Sequence, residues 1–123
     1  ATDHPTVEKK ELGEHKIGGG PVLTRGSIVS PVAFRIIRDT AESMRIPYSL
    51  HAAGRDTSTD ADGIHLARQG VATALVSVPN RYMHSPNEMV SVVDLDRTAT
   101  LLAAACKAAA MGFAISNSPN EAQ

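Results

Sequence analysis

A single cysteine, Cys106, stands in a chain of 123 residues, so no internal disulfide is available to staple the fold. It lies in an alanine-rich helical pattern with only Lys107 as a nearby cation, and it reads as a buried structural thiol, not a reactive one. No apolar run approaches the roughly 20 residues that cross a bilayer. No secretory leader is visible, so a reducing cytoplasm is the expected compartment. Charge of one sign is also missing, since 12 basic residues nearly cancel 13 acidic ones. That balance gives no electrostatic reason to expect nucleic acid or an anionic membrane as a partner. Internal repeats and low-complexity segments are absent, and so is an initiator methionine before Ala1-Thr2-Asp3, from which a piece of something longer is expected.

What is present suits one ordinary globular domain, with 42% hydrophobic and 20% charged residues. Val22-Leu23-Thr24 reads as a strand after Gly18-Gly19-Gly20-Pro21. Ser30-Pro31 is a helix start, with serine as N-cap and proline in the first turn. The apolar face Ala33, Ile37, Ala41 and Met44 follows, and Ile46-Pro47 ends it. Tyr48 to Ala53 reads as a second strand. Thr59 opens a second helix, with Asp62 in a variant capping box, and Gly70 closes it. Val71 to Val78 has the character of a strand buried on both faces, as in a helix-covered parallel sheet. From Asp94 as N-cap, apolar residues recur at Leu95, Ala99, Leu102, Cys106, Ala109 and Phe113, which predicts a helix packed on one side. Residues 116–123 read as a polar tail behind a 1–115 domain segment. The alternation of strands and helices predicts an α/β layer fold with right-handed crossovers.

Sites in such folds gather beyond the carboxyl ends of strands. Two polar loops meet that condition, Gly54 to Asp62 and Pro79 to Glu88. His84 in the second can offer imidazole to a metal, and Glu88, four residues on, can orient it. On residue type alone, an exposed loop histidine is the more ordinary reading. His4, His15, His51 and His65 read as solvated or packed side chains. The Gly18-Gly19-Gly20 run precedes a strand, not a helix, so it makes a poor phosphate cradle.

A resemblance sharpens the picture. Asp56-Thr57-Ser58-Thr59-Asp60-Ala61-Asp62-Gly63-Ile64, Gly70-Val71-Ala72-Thr73 and Ser77-Val78-Pro79-Asn80-Arg81-Tyr82-Met83-His84-Ser85-Pro86 form a long ordered match. Together with Thr2-Asp3-His4-Pro5, Gly18-Gly19-Gly20-Pro21-Val22 and Ile46-Pro47-Tyr48, it resembles the tetrahedral, self-compartmentalising metallo-aminopeptidases. That family includes glutamyl and deblocking aminopeptidases and proteins once called endoglucanase M. The resemblance implies part of a three-layer αβα sandwich of the zinc-exopeptidase type, with a mostly parallel sheet. It implies that His84 is a ligand of one of two zinc or cobalt ions, in a turn supported by Ser85, Pro86 and Glu88. It also implies that Ser58, Thr59 and Asp60 form a substrate-side corner, although the family usually has glycine where Ser58 stands. Gly19, similarly, stands where the family often has lysine. Arg81 and Tyr82 would fix the loop or line the cleft, and a loop-bracing ion pair is an equal alternative for Arg81.

The family's other ligands and its glutamate general base lie upstream of the matched region, as does its dimerisation domain. No catalytic residue is therefore expected here, and little or no metal in the isolated chain. The expected function is that of a segment of a peptide-cleaving metallo-aminopeptidase, inactive alone, which needs the upstream half and forms a homo-oligomer. A non-catalytic binding or assembly module derived from the same family is the competing expectation.

Overall fold

Strand β1, Val22–Arg25, lies at the centre of a three-stranded sheet. The computed structural model describes residues 2, 3, 5, 6, 8, 10 and 13–116. Helix α1 (Pro31–Ser43) carries the chain from β1 to β2 (Ser49–Ala52), which pairs parallel to β1. A short helix α2 (Ala61–Ile64) leads to β3 (Val76–Ser77), which pairs antiparallel on the other side of β1. Strands β4 (Asn80–Arg81) and β5 (Met89–Val90) make a small hairpin, and α3 (Val92–Ser116) closes the order. The class is α/β, as expected. The three-stranded sheet is mixed, whereas a mostly parallel one was expected.

Helix α2 has only four residues, and most of the connection from β2 to β3 is irregular. The chain turns at Gly70 (φ +94°) and runs back along β1, with the Thr24 N–H donating to Leu75 O at 3.0 Å. Ala61 of α2 is buried, whereas Ile64 and, just beyond the helix, Leu66 are exposed. Val71 and Ala72, expected to lie in a doubly buried strand, are exposed and outside any strand.

Helix α1 forms as its sequence dictates. Ser30 Oγ accepts from the Ala33 N–H at 3.3 Å, Pro31 opens the first turn, and Arg45 (φ +55°) leads the chain out. Leu23, Ala41 and Leu101 form the buried core, with Phe34, Ile37, Ile46, Tyr48 and Val76 packed around it. Met44, expected on that face, is exposed at the helix end.

Helix α3 departs from its predicted face. Its start is capped by Ser91, whose Oγ accepts from the Asp94 N–H at 3.4 Å, so Asp94 is not the cap. Asp94 is fully buried, and Thr98, Leu101 and Ala105 follow it inward. Leu95, Leu102 and Cys106, expected inside, are exposed. The helix is apolar on more than one side, so spacing alone does not choose the buried face. The choice falls to Asp94, whose carboxylate accepts from the Gly18 N–H (2.6 Å) and the Gly20 N–H (2.9 Å). The glycine run thus cradles an anion, an internal one, and Arg97 closes it by donating to Gly18 O at 3.1 Å. A side chain at Gly20 (φ +89°) would collide with the Pro47 carbonyl. Ser116 still belongs to α3, while residues 117–123 and His4 lie outside the described residues. Among the described residues no helix is long and apolar enough to cross a membrane.

Candidate functional site

Alternation along the strands gives the sheet two different faces. Leu23 and Val76 turn to the helices and the core, while Val22, Thr24, His51 and Ser77 line a cavity of about 470 Å³ on the other face. The register explains the grouping, because Thr24 pairs with His51 and Val22 with Ser77. The walls come from the 57–59 loop after β2 and from the tip of the β4–β5 hairpin, which brings His84 and Met83 to the rim. A volume of that size fits a small ligand or a peptide end.

His84 is exposed at this rim, with φ +64°. Glu88 holds the residue by its backbone: Oε1 accepts from the His84 N–H at 2.7 Å and from Asn80 Nδ2 at 3.2 Å. The carboxylate therefore fixes the turn, and no bond from it to the imidazole is seen. Ser85 shapes the same turn, its N–H donating to Tyr82 O (3.1 Å) and its Oγ accepting from the Asn87 N–H (3.3 Å). Tyr82 is exposed, in left-handed backbone (φ +59°), and is not part of the cavity lining. Arg81 faces Asp3. Its Nε donates to Asp3 O and its Nη2 to Asp3 Oδ2, both at 3.1 Å. Asp3 Oδ2 also accepts from the Ile17 N–H at 3.0 Å. That backbone bond and the Arg81 guanidinium hold the Asp3 carboxyl below its ordinary range, against the opposing effect of burial. Of the two readings for Arg81, the loop-bracing one describes its contacts.

On the opposite wall Ser58 and Thr59 line the cavity, and Asp60 is exposed outside it. Ser58 adopts φ +55°, the left-handed backbone that favours glycine. Thr57, not singled out from sequence, organises the corner. Its Oγ1 donates to Asp62 Oδ1 at 2.7 Å, and its N–H donates to the same oxygen at 2.8 Å. The Thr57 hydroxyl first, then the backbone amides of residues 57–59, lower the Asp62 pKa. Asp62 thus closes the loop on itself much as a capping carboxylate does.

Two histidines set aside in sequence also meet here. His51 and His15 line the cavity with ring centroids 5.6 Å apart in an edge-to-face arrangement, and Ser49 Oγ lies 2.8 Å from His15 Nδ1. His65 lies just after α2, with Nδ1 3.1 Å from Ala61 O. The period-two pattern places His51 on a strand, but its cavity-facing side follows only from pairing with β1. His15 comes from an irregular segment with no local signal.

A catalytic zinc normally takes three protein ligands. Among the described residues no three His, Cys, Asp or Glu side chains are grouped to hold a metal ion.

Comparison with known proteins gives this arrangement its context. The sequence profile of M42 glutamyl aminopeptidases matches residues 1–101. The chain is 37% identical over 86 residues to a lysyl aminopeptidase of Pyrococcus furiosus, a match covering 70% of this chain and 25% of that protein. The aminopeptidase APDkam598 of Desulfurococcus kamchatkensis superposes with a TM-score of 0.73 at 34% identity, covering 85% of this chain and 31% of its own. The TET1 peptidase of Pyrococcus horikoshii gives 0.60 at 26% identity, covering 85% and 30%. The chain therefore spans about a quarter to a third of the length of these relatives. A profile matched over most of the sequence, together with these fold relatives, shows that the chain belongs to the M42 glutamyl aminopeptidase family.

Proposed function

We propose that this chain is the C-terminal part of a metal-dependent aminopeptidase catalytic domain and contributes His84 as one metal ligand. The remaining ligands and the general base would come from the rest of a longer domain, which would also complete a three-layer sandwich. The observation that carries this reading is the pose of His84. It is an exposed imidazole on a braced, left-handed turn at the mouth of a peptide-sized cavity, in a chain of a peptidase family. Ser58 and Thr59 would form the substrate-side wall. Tyr82 and Asp60 lie outside the cavity and would reach a substrate only at its edge. The Pyrococcus horikoshii peptidase can assemble into a tetrahedron or a large octahedral shell, and we extend homo-oligomer formation to the complete domain.

The test is reconstitution. The chain alone is expected to leave aminoacyl-nitroanilides intact, and hydrolysis with zinc or cobalt is expected when the upstream half is supplied. His84→Ala should lower the reconstituted rate by roughly a hundredfold or more, since loss of even a supporting partner of a metal ligand costs about 10–100-fold. Hydrolysis by the chain alone, unchanged by that substitution, would refute the assignment. A second reading, a non-catalytic assembly module, is favoured by one observation: an apolar groove of about 560 Å³ between α1 and α3.

A further inference from the structure

We propose that Asp3 is a positioning residue for His84, acting through Arg81; the functional meaning of this rests on the reading of His84 as a ligand. The turn that carries His84 is strained. Tyr82 (φ +59°) and His84 (φ +64°) are two non-glycine residues in left-handed backbone, separated only by Met83. Such backbone persists only where its surroundings over-determine it. Glu88 supplies one anchor, at the His84 N–H itself. A turn clamped at that point alone can still swing about its N-terminal stem, Asn80–Arg81.

Asp3 fixes that stem. Its N–H donates to Asn80 O at 2.8 Å, and Thr2 forms a parallel bridge with Asn80. The Arg81 guanidinium spans the Asp3 carbonyl and the Asp3 carboxylate, each at 3.1 Å. A planar fork held at two points of one residue sets a direction, which a single ion pair would not do. Asp3 is itself held from behind. The Ile17 N–H donates to its carboxylate, and the next residues, Gly18 and Gly20, are clamped by the fully buried Asp94. A continuous set of bonds thus runs from the interior of α3 through the glycine loop to Asp3, then to Arg81 and the base of the His84 turn. Asp3 is not part of the cavity lining, so its effect on the site passes through Arg81.

The experiment compares the unsubstituted chain with Asp3→Asn, Arg81→Lys and the exchanged pair Asp3→Arg/Arg81→Asp. Three things are measured by NMR: φ-reporting backbone couplings of Tyr82 and His84, hydrogen exchange of residues 82–85, and the imidazole ¹⁵N shifts of His84, with His51 as internal reference. Urea unfolding of each variant gives the global stability. Both single substitutions are expected to average the couplings, speed exchange in the turn and move the His84 shifts while those of His51 stay in place. The exchanged pair should recover part of the couplings. With the upstream half supplied, Asp3→Asn should lower the zinc-supported rate by about tenfold. The proposal is overturned if the turn's couplings and His84 shifts match the unsubstituted chain. It is equally overturned if they change only in step with global unfolding. If His84→Ala leaves the rate of the reconstituted enzyme unchanged, the ligand reading fails, and the couplings and exchange still decide whether Asp3 positions the turn.

Discussion

Ser58 concentrates the conflict between chain and site in one residue. Its φ of +55° places a Cβ-bearing side chain in left-handed backbone at the cavity wall. That conformation costs roughly 1–2 kcal/mol for a non-glycine residue, and a glycine there would lose about 0.5–1 kcal/mol of unfolded-state entropy. Ser58→Gly is therefore expected to stabilise the chain by about 0.5–1 kcal/mol, read as a higher urea midpoint at unchanged slope. A lower midpoint would mean that the Ser58 side chain makes interactions worth more than its strain. This position was legible, because the resemblance places a glycine there and glycine implies a backbone that serine resists. The resemblance likewise drew attention to His84, Glu88 and the Ser58-Thr59-Asp60 corner. Asp3, Thr57, His15 and His51 were not legible. Each acquires its place from a partner far along the chain, such as Thr24 for His51 and Arg81 for Asp3, and no local pattern encodes that pairing.

At the scale of elements, local chemistry decides where an element starts, and tertiary partners decide which way it faces. Ser30-Pro31 places the start of α1 because cap and proline act within one turn. The sequence reads Asp94 as the cap of α3, and the helix starts earlier, at Val92. Ser91 caps, and Asp94 goes inward to the glycine amides, where a buried carboxylate left without those bonds would cost several kcal/mol. The loop before α2 depends on pH in a defined direction. The Asp62 pKa is lowered in the folded chain, so its bonds to residues 57–59 stabilise the loop fully above the ordinary carboxylate value. That contribution is lost as pH falls through the lowered folded value. Hydrogen exchange at the Thr57 amide, corrected for its intrinsic pH dependence, is expected to lose protection below about pH 4. Asp62→Asn should show the loosened loop at neutral pH already. Protection that is constant across this range would show that Thr57 is held by something other than the Asp62 charge.

For the molecule as a whole, the decisive feature is the apolar surface that the chain leaves uncovered. Val32 on α1 is 55% exposed and Leu102 on α3 is 40% exposed, and both line the groove between the two helices with Ile36, Ala109 and Cys106. Continuous apolar patches of this kind mark surfaces that take a partner. The relatives are nearly three times as long as this chain, and for the chain studied by itself we propose that a second copy covers the groove. Sedimentation is therefore expected to show weight-average mass rising with concentration. Val32→Asp should weaken this association by roughly tenfold or more, because an unpaired carboxylate in an apolar contact costs over about 1 kcal/mol. The same substitution should leave folding intact. Position 32 lies in the first turn of α1, where a negative charge complements the helix dipole. A chain that stays monomeric at high concentration, or associates equally well with Asp at 32, would place the sticky surface elsewhere or nowhere. Association that Val32→Asp abolishes, with His84 and its turn unperturbed, would separate the surface that assembles the domain from the one that serves its chemistry.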